Sequence, residues 1–181
     1  NQNFTITVTP LPTVNQPADV AVCGGILVTT SFIGSTGATF SWTNDNPNIG
    51  LGASGIGNIN FTSLGVSTLQ IANISVTPII GSCIGTPADF TITINPVPTV
   101  TDPLNQTVCS GANVTVDFMG TVNPAFSWTN SNIAIGLGAS GNGDINFIAS
   151  TVVVPTTGNL TVTPSENGCT GAAQNFTLTV T

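Results

Sequence analysis

The chain has 181 residues with no lysine, arginine or histidine, and its seven acidic residues give a formal charge of −7. This composition excludes nucleic acids and anionic membrane surfaces as partners, because both are bound mainly through lysine and arginine. General acid–base catalysis near neutral pH most often uses histidine, lysine or a tuned carboxylate, so we predict neither an enzyme nor a cofactor. No apolar run reaches the roughly 20 residues that span a bilayer, and membrane insertion is not expected.

The sequence repeats itself without a gap after 86 residues. Both tryptophans and all four cysteines coincide under this shift: Cys23 with Cys109, Trp42 with Trp128, and Cys83 with Cys169. Because 181 equals twice 86 plus 9, we predict two modules, at 10–95 and 96–181, preceded by a separate segment at 1–9.

The segment at 1–9 carries a third copy of one strand. Its Phe4, Ile6 and Val8 alternate with threonine, and the same alternation recurs at 90–94 and 176–180. Period-two alternation predicts a half-buried β-strand. The additional copy either closes a preceding repeat or is donated to a neighbouring chain, which is a recognised mode of subunit assembly. The sequence leaves both alternatives open.

Alternation of apolar and polar residues continues through each module. Phe40 and Trp42 alternate with serine and threonine, as do Ile74 and Val76, and Asn-Pro, Thr-Pro and Gly-rich turns bound these runs. No segment has a sustained 3.6-residue period. We therefore predict an all-β chain of two tandem antiparallel β-sandwiches. The alternate prolines at 95–100 predict a short, semi-rigid linker between them.

A Gly-rich run with the letters IGLGASG occupies 49–55 and recurs at 135–141. It is followed by a strand and has no lysine, so a phosphate-binding loop is not favoured, and we interpret it as a tight loop with positive φ. Because it repeats letter for letter, we hypothesise that Leu51 and Leu137 contact the next module or subunit. The neighbouring Trp42 and Trp128 are predicted to pack in the module cores.

Each module has two cysteines 60 residues apart, with a tryptophan 19 residues after the first. Four cysteines allow three connectivities, and only pairing within a module repeats under the 86-residue shift. We therefore predict Cys23–Cys83 and Cys109–Cys169 bridges that join loop ends, which implies an oxidising, extracellular setting. Metal binding is not favoured, since there is neither a CxxC pair nor a histidine.

The acidic residues do not recur between the modules. A repeated carboxylate pair or a calcium site in each module would need recurring oxygen ligands, so neither is predicted. An isolated Ca²⁺ site near Asp45 or Asp144 is the remaining candidate for a metal.

The modules resemble the PKD-like repeats of large secreted surface proteins of Bacteroidetes-type bacteria. The resemblance rests on SWTN at 41–44, the IGLGASG run, the late cysteine in a Gly-rich turn, and the closing FTITxNPxPTV strand and linker. It implies immunoglobulin-like sandwiches, export to the cell surface, and a role as a stalk, fibre-forming or adhesin repeat whose partners are neighbouring repeats or copies of itself. The alternative function is a glycan- or protein-binding module.

Overall fold

The computed structural model describes residues 2–121 and 123–181. The chain divides between Asn95 and Pro96 into two compact units. The regular secondary structure of each unit is almost entirely β-strand, as the alternation in the sequence predicts, and none of the described helices is long and apolar enough to cross a membrane.

The first unit contains eight strands and one short 3-10 turn. The strands are β1 (Val20–Cys23), β2 (Leu27–Thr30), β3 (Thr39–Asn44), β4 (Ser54–Ile56), β5 (Ile59–Thr62), β6 (Gln70–Ile80), β7 (Cys83–Ile84) and β8 (Ala88–Asn95), and the 3-10 turn is Pro47–Ile49. One sheet has the order β1-β8-β6-β3-β4, with β7 also paired to β6, and β2 and β5 form a second sheet.

The two sheets enclose one hydrophobic core. Inward positions of both sheets, such as Val28 of β2, Ile59 of β5 and Ile92 of β8, belong to the same buried cluster. Alternate residues of a strand point to opposite faces, so the apolar positions of each alternating run face this core. Burial of a side chain of this size stabilises the fold by roughly 1.5–3 kcal/mol.

The second unit repeats this arrangement. Its strands are β9 (Gln106–Val108), β10 (Asn113–Val116), β11 (Ala125–Asn130), β12 (Ser140–Asn142), β13 (Ile145–Ile148), β14 (Thr156–Glu166), β15 (Cys169–Thr170) and β16 (Gln174–Val180), with a 3-10 turn at Ile133–Ile135. The larger sheet has the order β12-β11-β14-β16-β9, with β15 paired to β14, and β10 pairs with β13.

One pairing in each unit differs from the antiparallel prediction. The first strand runs parallel to the last: β1 beside β8, and β9 beside β16. The register pairs Cys23 with Asn95, so the first strand ends where the chain leaves the unit. The alternation in sequence indicates which side chains face the core but not the direction of the neighbouring strand, so it does not predict this parallel pair.

The chain enters each unit at one end of the sandwich and leaves it at the opposite end. In the first unit the N-terminal pole is the end of β6 at Ile80, where the carbonyl of Pro12 lies against Gly85. The C-terminal pole is the opposite end of β6, at Gln70, which is paired with Ile94 next to the last residue of β8. In the second unit the corresponding poles are the Glu166 and Thr156 ends of β14. Each unit thus receives and releases the chain at opposite poles.

Candidate assembly segment, loops and cysteines

The segment at 2–9 lies outside both sandwiches. Phe4, Ile6 and Val8 are 85%, 76% and 84% exposed, and residues 2–13 form no strand within the described chain. Their counterparts in the closing strands are buried, as Phe90, Ile92 and Ile94 in β8 and as Phe176, Leu178 and Val180 in β16. The same alternating sequence is therefore core in two places and solvent-exposed in the third.

The aromatic residue of this strand has a defined place inside a module. The ring centroids of Phe90 and Phe32 lie 6.2 Å apart in an edge-to-face arrangement. Phe176 and Phe118 repeat the contact at 6.1 Å. Such pairs contribute about 0.5–1.5 kcal/mol beyond the burial of area. Phe4 occupies the equivalent sequence position and has the same side chain as Phe90 and Phe176.

Leu51 and Leu137 are buried in the cores of their own units. Both are 6% exposed and belong to the hydrophobic cluster of their own unit. The hypothesis that they contact the next module or subunit is therefore wrong. The 3-10 turn before each leucine ends in a glycine with φ of 99° or 100°, at Gly50 and Gly136, and this left-handed residue turns the loop back over the core.

The repeated motifs SWTN and IGLGASG pack against each other within each module. The side-chain amide of Asn44 donates hydrogen bonds to the carbonyls of Leu51 and Gly52, at 2.9 Å and 3.2 Å. Gly55 faces Trp42 across the β3–β4 pair, and a Cβ at Gly55 would overlap the indole ring. Asn130, Gly141 and Trp128 repeat both contacts in the second unit. The two motifs therefore recur together because their residues contact each other in the folded module.

Trp42 and Trp128 are buried in the cores of their units. The prediction that they pack in the core is confirmed. Each side chain is only 8% exposed, which does not favour stacking of a sugar on the ring.

Three acidic side chains accept hydrogen bonds from backbone N–H groups. In the other unit, a neutral side chain accepts the hydrogen bond from the equivalent N–H group. Thr91 donates to Asp19 at 2.7 Å, and Thr177 donates to Asn105 at 2.7 Å. The other two pairs follow the same rule, with Asn73 donating to Asp45 and Asn159 to Ser131, and with Phe118 donating to Asp144 and Phe32 to Asn58.

Two of these carboxyls titrate below their usual range. The backbone N–H of Thr91 and then its side chain lower the pKa of Asp19, and the side-chain amide of Asn73 followed by its backbone N–H lowers the pKa of Asp45. Hydrogen bonds to a carboxylate favour its charged form. These acids therefore act as structural acceptors, which explains why they need not recur as acids.

The candidate positions for Ca²⁺ have the same local role. Both Asp45 oxygens accept hydrogen bonds from Asn73, at 2.7 Å each, beside a surface depression of about 550 Å³ that Asp89 also lines. Asp144 accepts from the backbone of Phe118 at 2.8 Å. Within residues 2–121 and 123–181, no group of three cysteine or acidic side chains is placed to hold a metal ion.

The cysteines do not pair as predicted. Cys83 and Cys109 are free thiols, whereas Cys23 and Cys169 are disulfide-bonded. The Cys23–Cys83 and Cys109–Cys169 bridges are therefore absent, and this part of the prediction is wrong.

The strand register explains why a bridge within a module cannot form. Cys23 lies at the C-terminal pole beside Asn95, while Cys83 pairs with Ile80 at the N-terminal pole. The 11-residue strand β6 separates these levels. At about 3.3 Å per residue the two cysteines lie roughly 30 Å apart. A disulfide needs Cα atoms within about 7 Å of each other.

Comparison with known proteins supports the fold. No family model matches the chain, and no curated protein matches it. The crystal structure of DIP-gamma IG1+IG2 is similar with a TM-score of 0.51 and 13% identity, covering 94% of this chain and 98% of that one. An I-band fragment of titin is similar with a TM-score of 0.60 and 10% identity, covering 96% of this chain and 66% of that one.

A third similar structure contains immunoglobulin domains 1–4 of Sidekick-1, with a TM-score of 0.50 and 14% identity, covering 94% of this chain and 48% of that one. At these identities the similarity establishes the fold alone. The chain is thus a pair of tandem immunoglobulin-like β-sandwiches, as its sequence predicts.

Proposed function

We propose that this chain is a structural repeat of an extracellular bacterial surface or filament protein, of the PKD-like kind, with its modules serving as stalk, fibre or adhesin units. The observation that carries the proposal is the exposed segment at 2–9. It repeats a strand that is buried in both modules, and so it has the sequence of the closing strand of another module.

Burial of this segment supplies a driving force for assembly. Phe4, Ile6 and Val8 are all largely exposed, and each contributes roughly 1.5–3 kcal/mol when it is fully buried. Ordering the segment and losing the freedom of a second molecule oppose this gain. The same strand added to a preceding module of one long protein avoids the second cost. Both forms of the proposal place the segment in a neighbouring sandwich.

The arrangement of each module supports a serial array. The chain enters at the N-terminal pole and leaves at the C-terminal pole, so further modules can be added in line without rearranging a sheet. The disulfide-bonded Cys23 and Cys169 support an oxidising compartment, and hence the extracellular side of the proposal.

A structural role also fits the chemistry of the polar residues. The described acids Asp19, Asp45 and Asp144 accept hydrogen bonds from backbone N–H groups of their own module. Their neutral counterparts in the other module accept the equivalent hydrogen bonds, so the proposal includes no catalytic function.

Immunogold electron microscopy of the cells that produce the protein tests the proposal. Antibodies raised against this chain should label thread-like or layered surface structures at regular intervals, because each repeat carries the same epitopes. Competition with soluble chain is the control for specific labelling. Label confined to the cell interior, or to isolated compact particles, would contradict a structural surface role.

A further inference from the structure

One free cysteine lies at the N-terminal pole of the first unit, and the other lies at the C-terminal pole of the second unit. Cys83 is half-buried in the short strand β7 at the N-terminal pole of the first unit, paired with Ile80. Cys109 is exposed at the C-terminal pole of the second unit, directly after β9, which runs beside β16. The backbone N–H of the next residue, Ser110, donates to the carbonyl of Thr181 at 2.8 Å and holds Cys109 at this pole.

The counterparts of these two thiols are oxidised. Under the 86-residue shift Cys109 corresponds to Cys23, and Cys83 corresponds to Cys169. Cys23 and Cys169 are both disulfide-bonded. The backbone pairing at Cys83 and Cys169 is the same, since Cys169 follows a Gly-containing turn and pairs with Glu166 as Cys83 pairs with Ile80. Each of the two positions therefore forms a disulfide in one module and remains a thiol in the other.

Pairing inside a module cannot account for this chemistry. Within each unit the two cysteine positions are separated by an 11-residue strand, β6 or β14. Each thiol therefore lies out of reach of the other cysteine position of its own unit. Other uses of a reactive thiol lack support, because the chain has no histidine, lysine or arginine to lower the pKa of a cysteine or act as its base.

We propose that Cys109 of one copy of this chain forms a disulfide with Cys83 of the next copy, so that the modules are covalently linked from C-terminal pole to N-terminal pole. This inference rests on the proposed structural role and adds the chemistry of the link. In a longer protein of the same repeat, the cysteines of the adjoining modules take the place of the second copy.

The oxidation balances with a small disulfide such as glutathione disulfide as the oxidant. The Cys109 thiolate attacks the glutathione disulfide and releases one glutathione thiolate, which leaves a mixed disulfide at Cys109. The Cys83 thiolate then attacks the protein sulfur of that mixed disulfide and releases the second glutathione. One Cys109–Cys83 bond forms, and the two electrons and two protons lost by the protein thiols are taken up as two glutathione thiols.

Oxidative cross-linking of the intact chain tests the proposal. Incubation with glutathione disulfide should give a ladder of oligomers on non-reducing gels, and a reductant should collapse the ladder. Mass spectrometry of chymotryptic or peptic peptides should find Cys83 linked to Cys109. Trypsin is unsuitable because the chain has no lysine or arginine.

Single serine variants supply the matched controls. Cys83→Ser and Cys109→Ser should each lose the ladder when incubated alone. A mixture of the two, one carrying a size tag, should give a heterodimer and nothing larger, because only Cys109 of the first and Cys83 of the second can join. Symmetric Cys109–Cys109 dimers that form as fast as the heterodimer would overturn the proposal, as would a chain that stays monomeric.

These outcomes are distinct from failure of the proposed function. Absence of the Cys83–Cys109 link together with regular immunogold spacing would overturn the bridge and leave the structural role standing. Failure of the structural role would be seen in the microscopy, whatever the gels show.

Discussion

Three backbone N–H groups in each module depend on a side-chain oxygen rather than on a charge. Asp19 and Asn105 accept from equivalent threonines at the same 2.7 Å, although only one of them is charged. An amide or hydroxyl oxygen accepts a hydrogen bond from a backbone N–H as a carboxylate oxygen does. The fold therefore constrains the presence of an acceptor and leaves its charge free to differ.

This interchange predicts a difference in acid sensitivity. The folded pKa values of Asp19 and Asp45 lie below the ordinary value of 3.8, so the unfolded chain binds more protons as the pH falls below that value. The stabilisation from these groups is complete above pH 3.8 and is lost as the pH falls through the lowered pKa values.

Replacing Asp19 by Asn and Asp45 by Ser installs the residues of the second module and removes both titrations. Thermal unfolding followed between about pH 5 and about pH 2 should then give a shallower fall in melting temperature for the double variant than for the parent. Parallel profiles for the two proteins would contradict the proposed role of these hydrogen bonds.

The loop between β3 and β4 is an element whose two sequence motifs fold onto each other. Asn44 holds the loop backbone, and Gly55 lets Trp42 approach the neighbouring strand. The letter-for-letter repetition of this loop in the sequence predicts a contact outside the module. The contact lies inside, because the left-handed Gly50 directs Leu51 into the core.

A glycine pair in this loop gives a matched test. Gly55→Ala places a methyl group against the Trp42 ring and should destabilise the first unit by roughly 1–3 kcal/mol. Gly52→Ala is the control, since a Cβ there would meet only the carbonyl of Ser54, at 3.9 Å, and should change stability by less than about 0.5 kcal/mol. Urea unfolding measures both, and equal effects would contradict the packing of the motifs.

Strand content, the repeat and the core tryptophans could be predicted because they depend on alternation and on recurrence within the sequence. The pairing of the cysteines could not, because it depends on the length and direction of strands between them. The spacing of Cys23 and Cys83 does not reveal that they lie at opposite ends of β6, because a segment of 60 residues can either return to its starting point or end far from it. The symmetry of the repeat favours pairing within each module, and this connectivity is wrong because the two cysteines of a module lie at opposite poles.

The described residues form two β-sandwiches and one exposed segment with the sequence of a strand. Each sandwich already has its closing strand, β8 or β16, so the segment at 2–9 has no vacant position within the two described units. Its apolar side chains match those of β16 position by position, with Phe4, Ile6 and Val8 in place of Phe176, Leu178 and Val180. Under the proposed function, the partner of this segment is a module that lacks its closing strand.

Strand complementation tests this claim most directly. A chain shortened after Ala173 lacks β16, and a synthetic peptide of residues 174–181 serves as the positive control for refilling the vacancy. The account predicts that a peptide of residues 3–9 also binds the shortened chain and raises its melting temperature, and that the same peptide with Phe4→Asp and Ile6→Asp does not. Restoration by the 174–181 peptide without any effect of the 3–9 peptide would contradict it.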